Sequence, residues 1–221
     1  MADLPDPVSR YLGQSVLDGC PPASSWSIGM KGRIKVGMWL PFEARQELDG
    51  SSFIWRARVP SDRFGILEVT DSFTGSKGGM VGRIAGRQLF ADTGQDACRS
   101  AATRAVMEST MVPATLLPGT GAEWAASSET EIRFRRPGVP LAEEVTIRLD
   151  GDGLPVEVEA MRWLKEKKGP GSLVPFRCRL ERFGEMAHQQ IPVQLTAGWV
   201  REKFEPFFKA RITSLEALSV P

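Results

Sequence analysis

Apolar and polar residues alternate one by one through most of this chain, and that period limits what it can fold into more than any other feature. Trp26, Ile28 and Met30 alternate, then Ile34, Val36 and Met38. Phe42, Ala44, Gln46 and Leu48 stand against Glu43, Arg45 and Glu47, and Phe53, Trp55, Ala57 and Val59 stand against Ile54, Arg56 and Arg58. A period of two places one set of side chains on one face of a strand. After residue 130 the pattern is cleaner still: Ile132 and Phe134; Val145, Ile147 and Leu149; Val156, Val158 and Ala160; Val174, Phe176, Cys178 and Leu180; Ile191, Val193, Leu195, Ala197 and Trp199. One face is wet and the other buried, which excludes a parallel sheet covered on both sides. Leu48-Asp49-Gly50-Ser51 predicts a hairpin with a two-residue Asp-Gly turn, and Asp150-Gly151-Asp152-Gly153 and Lys168-Gly169-Pro170-Gly171 carry turn chemistry as well. A last strand spans about 207–218, and residues 116–128, with Trp124, read as irregular.

Residues 93–113, TGQDACRSAATRAVMESTMVP, break the alternation. Cys98, Ala102, Ala105, Val106, Ser109 and Val112 recur at helical spacing and form a small-residue stripe. Thr93 with Asp96 reads as a capping box, and Pro113 cannot continue the ladder. Arg104 and Glu108 are an i,i+4 pair at the border of the stripe, where both could reach polar groups of a sheet. A shorter amphipathic helix starts at Asp6-Pro7, with Val8, Tyr11, Leu12 and Val16 on one face, and ends before Gly19-Cys20-Pro21-Pro22.

The expected architecture is mainly β, with about ten or eleven strands in a single, strongly curved antiparallel sheet. A sheet of this size curls, and two helices are too few to cover it flat, so the helices are expected to plug the concave side of a half-barrel. With 221 residues and no linker or internal repeat, residues 1–221 read as one domain that buries roughly 70% of its unfolded surface.

Charge and cysteine content narrow the function. The 28 basic and 27 acidic residues are interspersed, so no nucleic-acid partner is expected. Cys20, Cys98 and Cys178 lack metal-like spacing; Cys98 and Cys178 fall on apolar faces and are expected to be buried, reduced and inert. No run approaches the ~18 apolar residues of a membrane span, and the amino terminus has no run of signal-peptide length, so the chain as written is expected to be cytoplasmic with no transmembrane segment.

The catalytic inventory is thin. His188, the single histidine, sits in a turn and is expected to be solvated; no metal site and no cofactor is assigned. The glycine-rich residues 74–86 lack the Lys-Ser or Lys-Thr step of a phosphate loop, since Lys77 precedes Gly78, and read as a hairpin with bulges. The pairs Glu143-Glu144 and Glu157 with Glu159 lie on strands, the latter two opposite the apolar face. Trp55 and Trp199 occupy inward positions and Trp39 follows Met38 at a strand junction, so all three could line a cavity that the helices leave open. Asp71 ends the apolar run at 66–69; it reads as a turn aspartate that could also meet Arg104 across the site.

Four blocks also carry a resemblance. They are Leu4-Pro5-Asp6-Pro7-Val8-Ser9-Arg10-Tyr11-Leu12, then Phe53-Ile54-Trp55-Arg56-Ala57, then Arg104-Ala105-Val106-Met107-Glu108 with Val112-Pro113, and finally Gly184 through Ile191-Pro192 to Ala197-Gly198-Trp199. In this order they resemble a bacterial family of uncharacterised proteins, with Thr110-Met111 here where that family has an aromatic. Gly153-Leu154-Pro155, followed by charged strands and a final Ile-Pro strand, is similar more distantly to the periplasmic lipoprotein carriers (LolA-like proteins), whose curved sheet and helical lid hold acyl chains. The expected function is noncatalytic binding of a hydrophobic small molecule or lipid, with Trp39, Trp55, Asp71, Arg104, Glu108 and Trp199 as candidate ligand-binding residues. The alternatives are an enzyme built on Arg104, Glu108 and Asp71, and a structural or partner-binding module with a filled interior.

Overall fold

The computed structural model describes residues 4–62, 65–165 and 170–218. Helix α1 (Asp6–Ser15) leads into strands β1 (Ser25–Val36), β2 (Met38–Leu48), β3 (Phe53–Ser61), β4 (Gly65–Thr74), β5 (Lys77–Ile84) and β6 (Arg87–Asp92). Helix α2 (Gln95–Glu108) follows, extended by 3-10 turns at Ser109–Met111 and Pro113–Leu116. The chain then returns through β7 (Glu123–Ser128), β8 (Glu131–Arg135), β9 (Val145–Leu149), β10 (Pro155–Leu164), β11 (Ser172–Met186), β12 (Gln189–Val200) and β13 (Phe204–Leu218).

Among the described residues thirteen strands form one antiparallel, unclosed sheet in the order β6-β5-β4-β3-β2-β1-β13-β12-β11-β10-β9-β8-β7. Each strand pairs with its sequence neighbour except at the centre, where β1 meets β13 from Ser25↔Leu218 to Ile34↔Phe208. The chain thus meanders from the centre to one edge, crosses through α2, and meanders back from the other edge. Among the described residues β1 with β13 is the only strand pairing that joins the two halves, apart from an isolated bridge between Val16 and Gln189.

The curvature follows from where α2 sits. It packs on β4 and β5 of the first half and on β10 of the second. Seven strands separate β5 from β10 in the sheet order. A flat sheet would hold those two strands roughly 38 Å apart, whereas a helix is about 10 Å across. The sheet must therefore wrap around the helix. The core fills the concave side, with Trp26, Phe42, Phe53, Phe73, Phe134 and Ile147 among its fully buried side chains. Among the described residues no helix is long and apolar enough to cross a membrane.

Local chemistry explains the departures from the expected boundaries. One of the strands beyond the expected ten or eleven is β7, in the stretch expected to be irregular; it is an edge strand, exposed apart from half-buried Trp124, and so carries no one-sided pattern. Gly94 is the N-cap of α2 and no side chain caps it, because the helix starts one residue too late for Thr93 to serve. The β2–β3 connection spans residues 49–52 rather than two residues. Asp49 Oδ1 accepts hydrogen bonds from the backbone N–H of Ser51 (2.8 Å) and Ser52 (2.7 Å), which holds the longer loop. Residues 74–86 form two tight hairpin turns, the second with Ala85 and Gly86 at positive φ, and a bulge at Gly82/Arg83. A register shift between Pro155 and Glu157 buries Pro155 and leaves Val156 40% exposed, against the inward position expected of it. Glu143 and Glu144 precede β9 instead of lying on a strand. Of the turn expected at 168–171, Lys168 and Gly169 lie outside the described residues.

Gly32 pairs with both Phe42 of β2 and Ala210 of β13, and a Cβ there would overlap the Lys209 carbonyl oxygen and the Ala210 backbone. Gly32→Ala should therefore destabilise the protein by about 1–3 kcal/mol, read by urea unfolding. A wild-type midpoint would show that the close approach at the central seam is unimportant.

Candidate functional site

Alternation along each strand decides what faces α2. On β4 the inward positions are Leu67, Val69, Asp71 and Phe73. On β10 they are Val158, Ala160 and Arg162, and on β11 Phe176, Cys178 and Leu180. Opposite them α2 presents Ala97, Ser100, Ala101, Arg104 and Met107. The short side chains of Ala97, Ser100 and Ala101 bring the helix backbone near the sheet but cannot fill the width of the curve. A cavity of about 480 Å³ remains between helix and sheet. Its walls are chiefly apolar, with Met30 and Trp55 from the first half and Val158, Phe176, Leu195 and Trp199 from the second.

A buried charged cluster interrupts the apolar lining, and a Lys165–Asp92 ion pair and Asp96 also border the cavity. Arg104 Nη1 donates to Asp71 Oδ2 at 2.5 Å and Arg104 Nε to Glu108 Oε1 at 2.7 Å. Glu108 Oε2 accepts a further hydrogen bond from Gln46 Nε2 at 2.6 Å. The guanidinium lies 4.5 Å from the centroid of the Phe53 ring and 5.4 Å from that of Trp55. Burial alone would lower the Arg104 pKa, but Glu108 and then Asp71 outweigh it and hold the pKa above its ordinary value. Asp71 is thus a mid-strand residue in contact with α2, and the turn reading of it is corrected: its side chain has the inward parity of Val69 and Phe73.

A second arginine, which sequence reasoning overlooked, enters from the opposite half. Arg162 is 9% exposed and lines the cavity. Its guanidinium stands 4.3 Å from the Phe176 ring centroid and 5.6 Å from that of Trp199, and its Nη2 donates to Ser100 Oγ at 3.2 Å. Burial, with repulsion from Arg104 second, pushes its pKa down to about 10, so it stays a cation at neutral pH. The signal for it was present, since Arg162 continues the Val158–Ala160 parity into the concave face.

The other candidates divide. Trp55 and Trp199 line the cavity; Trp55 donates Nε1–H to Met30 Sδ at 3.4 Å, and Trp199 meets Phe176 edge-on at 5.0 Å. Trp39 has the parity of Glu43 and Arg45 and lies away from the cavity, with Lys209 Nζ 5.5 Å from its ring centroid. Cys98 is buried, with Sγ 3.1 Å from the Ser76 carbonyl oxygen. Cys178 is half-buried rather than buried, because it faces the cavity instead of packed side chains; burial, and then Glu108, push its thiol up to about 12. Glu157 and Glu159 are held by cross-strand arginines, Arg148 at 2.6 Å and Arg177 at 2.7 Å, away from the cavity. His188 is exposed in the β11–β12 turn at positive φ.

Arg104→Ala leaves two largely buried carboxylates without their cation and should lower stability by about 3 kcal/mol. Replacing Asp71, Arg104 and Glu108 together by apolar residues should recover much of that loss. Thermal unfolding checks both, and a single variant with an unchanged melting temperature would show the cluster to be energetically idle.

The fold has solved counterparts. A DUF1329 family protein from Desulfovibrio piger superposes with a TM-score of 0.53 at 9% identity, covering 96% of this chain and 90% of that one. A LolA superfamily protein from Nitrosomonas europaea gives 0.52 at 10% identity, covering 97% and 93%. A domain described as an outer membrane lipoprotein-sorting protein from Vibrio parahaemolyticus gives 0.50 at 8% identity, covering 96% and 88%. No curated protein matches the chain in sequence. Residues 1–210 match the family of unknown function DUF6544, and the chain belongs to that family.

Proposed function

We propose that the protein is a noncatalytic binder of a hydrophobic small molecule or lipid, held between α2 and the concave face of the sheet. The observation that carries this reading is the apolar cavity of about 480 Å³, within the range of roughly 300–1,000 Å³ usual for small-molecule sites. Its aromatic walls offer large apolar area, and the charged groups are confined to a few positions, as in sites where polar groups orient an otherwise greasy ligand. The likeness of fold to a lipoprotein-sorting domain agrees with it.

Within the Arg104, Glu108 and Asp71 set of the catalytic alternative neither carboxylate is free. Asp71 and Glu108 both spend their charge on Arg104, and Glu108 also accepts from Gln46. A filled structural module is disfavoured by the cavity itself.

Native mass spectrometry of gently purified protein should show an added mass that denaturation releases. Ala197→Trp, which projects an indole into the cavity from a 6% exposed position, should remove that mass while the protein stays folded. Wild-type protein that carries no added mass and takes up no apolar dye would contradict the reading.

A further inference from the structure

The cavity holds a clue to the occupant's polar end, and the following step rests on the binder reading above. The buried arginines of the protein are satisfied unequally. Arg104 contacts two carboxylates. Arg136, buried beneath the loop that follows α2, donates to the carbonyl oxygens of Thr120 (2.6 Å) and Thr115. Among the described residues Arg162 makes one hydrogen bond, to the neutral Ser100 hydroxyl, its buried Nε, like that of Arg136, has no partner, and no carboxylate lies within ion-pair distance. A guanidinium carries five donors, and a buried cation without a contacting anion is costly. The Phe176 and Trp199 rings hold the group in place without satisfying those donors.

We propose that Arg162 is the receptor for the head group of an amphiphile ending in a single carboxylate, whose apolar chain lies along the Trp55, Leu195 and Trp199 walls. The charge count selects that head. Asp71, Asp92, Asp96 and Glu108 face the chamber against Arg104, Arg162 and Lys165, so the anion that adds the least negative charge is the one best accommodated. A carboxylate takes up the planar fork of Arg162 with two parallel hydrogen bonds and brings one charge. A phosphate monoester offers similar oxygens but brings nearly two charges, which Asp71 and Glu108 would repel. An alcohol fits the walls but gives the guanidinium no counter-charge.

The test is displacement of a bound apolar dye from delipidated protein by dodecanoate, dodecanol and dodecyl phosphate. Dodecanoate should bind about tenfold or more tightly than either of the others, as a charge-assisted contact implies. In Arg162→Met, which keeps an unbranched side chain against Phe176 and Trp199, the preference for dodecanoate over dodecanol should vanish while dodecanol still binds. Equal binding of dodecanoate and dodecanol to the wild type, or a preference that survives Arg162→Met, would overturn the head-group assignment and leave the binder reading standing. Tighter binding of dodecyl phosphate would replace the carboxylate by a phosphate head and so overturn the assignment too. Failure of all three to bind the wild type would overturn both readings.

Discussion

A mismatch of widths governs this structure. Thirteen strands have to bury one face, and the chain supplies one long helix, made largely of small residues, to cover the middle of it. The sheet answers by curling until β5 and β10, far apart in its order, both reach α2. Small side chains allow that approach, and the same small side chains leave the space beneath unfilled. Tight docking of the helix and the presence of a cavity are two results of one composition.

Topology makes the helix more than a cover. Because α2 links the strands at the two edges, its placement fixes how far the halves close on one another, while the β1–β13 pairing fixes them at the centre. Electrostatics then sets the helix in register. Arg104 reaches Asp71 on the first half, and Ser100, one turn earlier, receives Arg162 from the second. An exposed ion pair would add little here, but these groups sit where water is scarce and mispairing would strand a charge. The two arginines thereby define a polar band across an otherwise apolar chamber.

Much of this could be read from the amino-acid order, because the period of two is a direct consequence of burying one face. The antiparallel curved sheet, the helix on its concave side and the inward Trp55 and Trp199 all follow from counting by twos and by threes and fours. What escaped did so where the pattern carries no such signal. Strand β7 is an exposed edge with no buried stripe of its own. Val156 changes face because a bulge resets parity, and Trp39, beside Met38 at the strand junction, has the outward parity of Glu43 and Arg45. Asp71 and Arg162 occupy inward positions in sequence, yet a charged residue there reads as the end of a strand unless its partner is known. That partner lies tens of residues away.

The chamber between α2 and the sheet is the feature on which the binding site depends. A crystal structure of delipidated protein under xenon pressure tests it directly, since an empty apolar cavity admits xenon and a packed interior does not. Xenon density bounded by Trp55, Phe176, Leu195 and Trp199 is the predicted result. Close-packed side chains in that volume, with α2 seated against the sheet and no xenon bound, would contradict it.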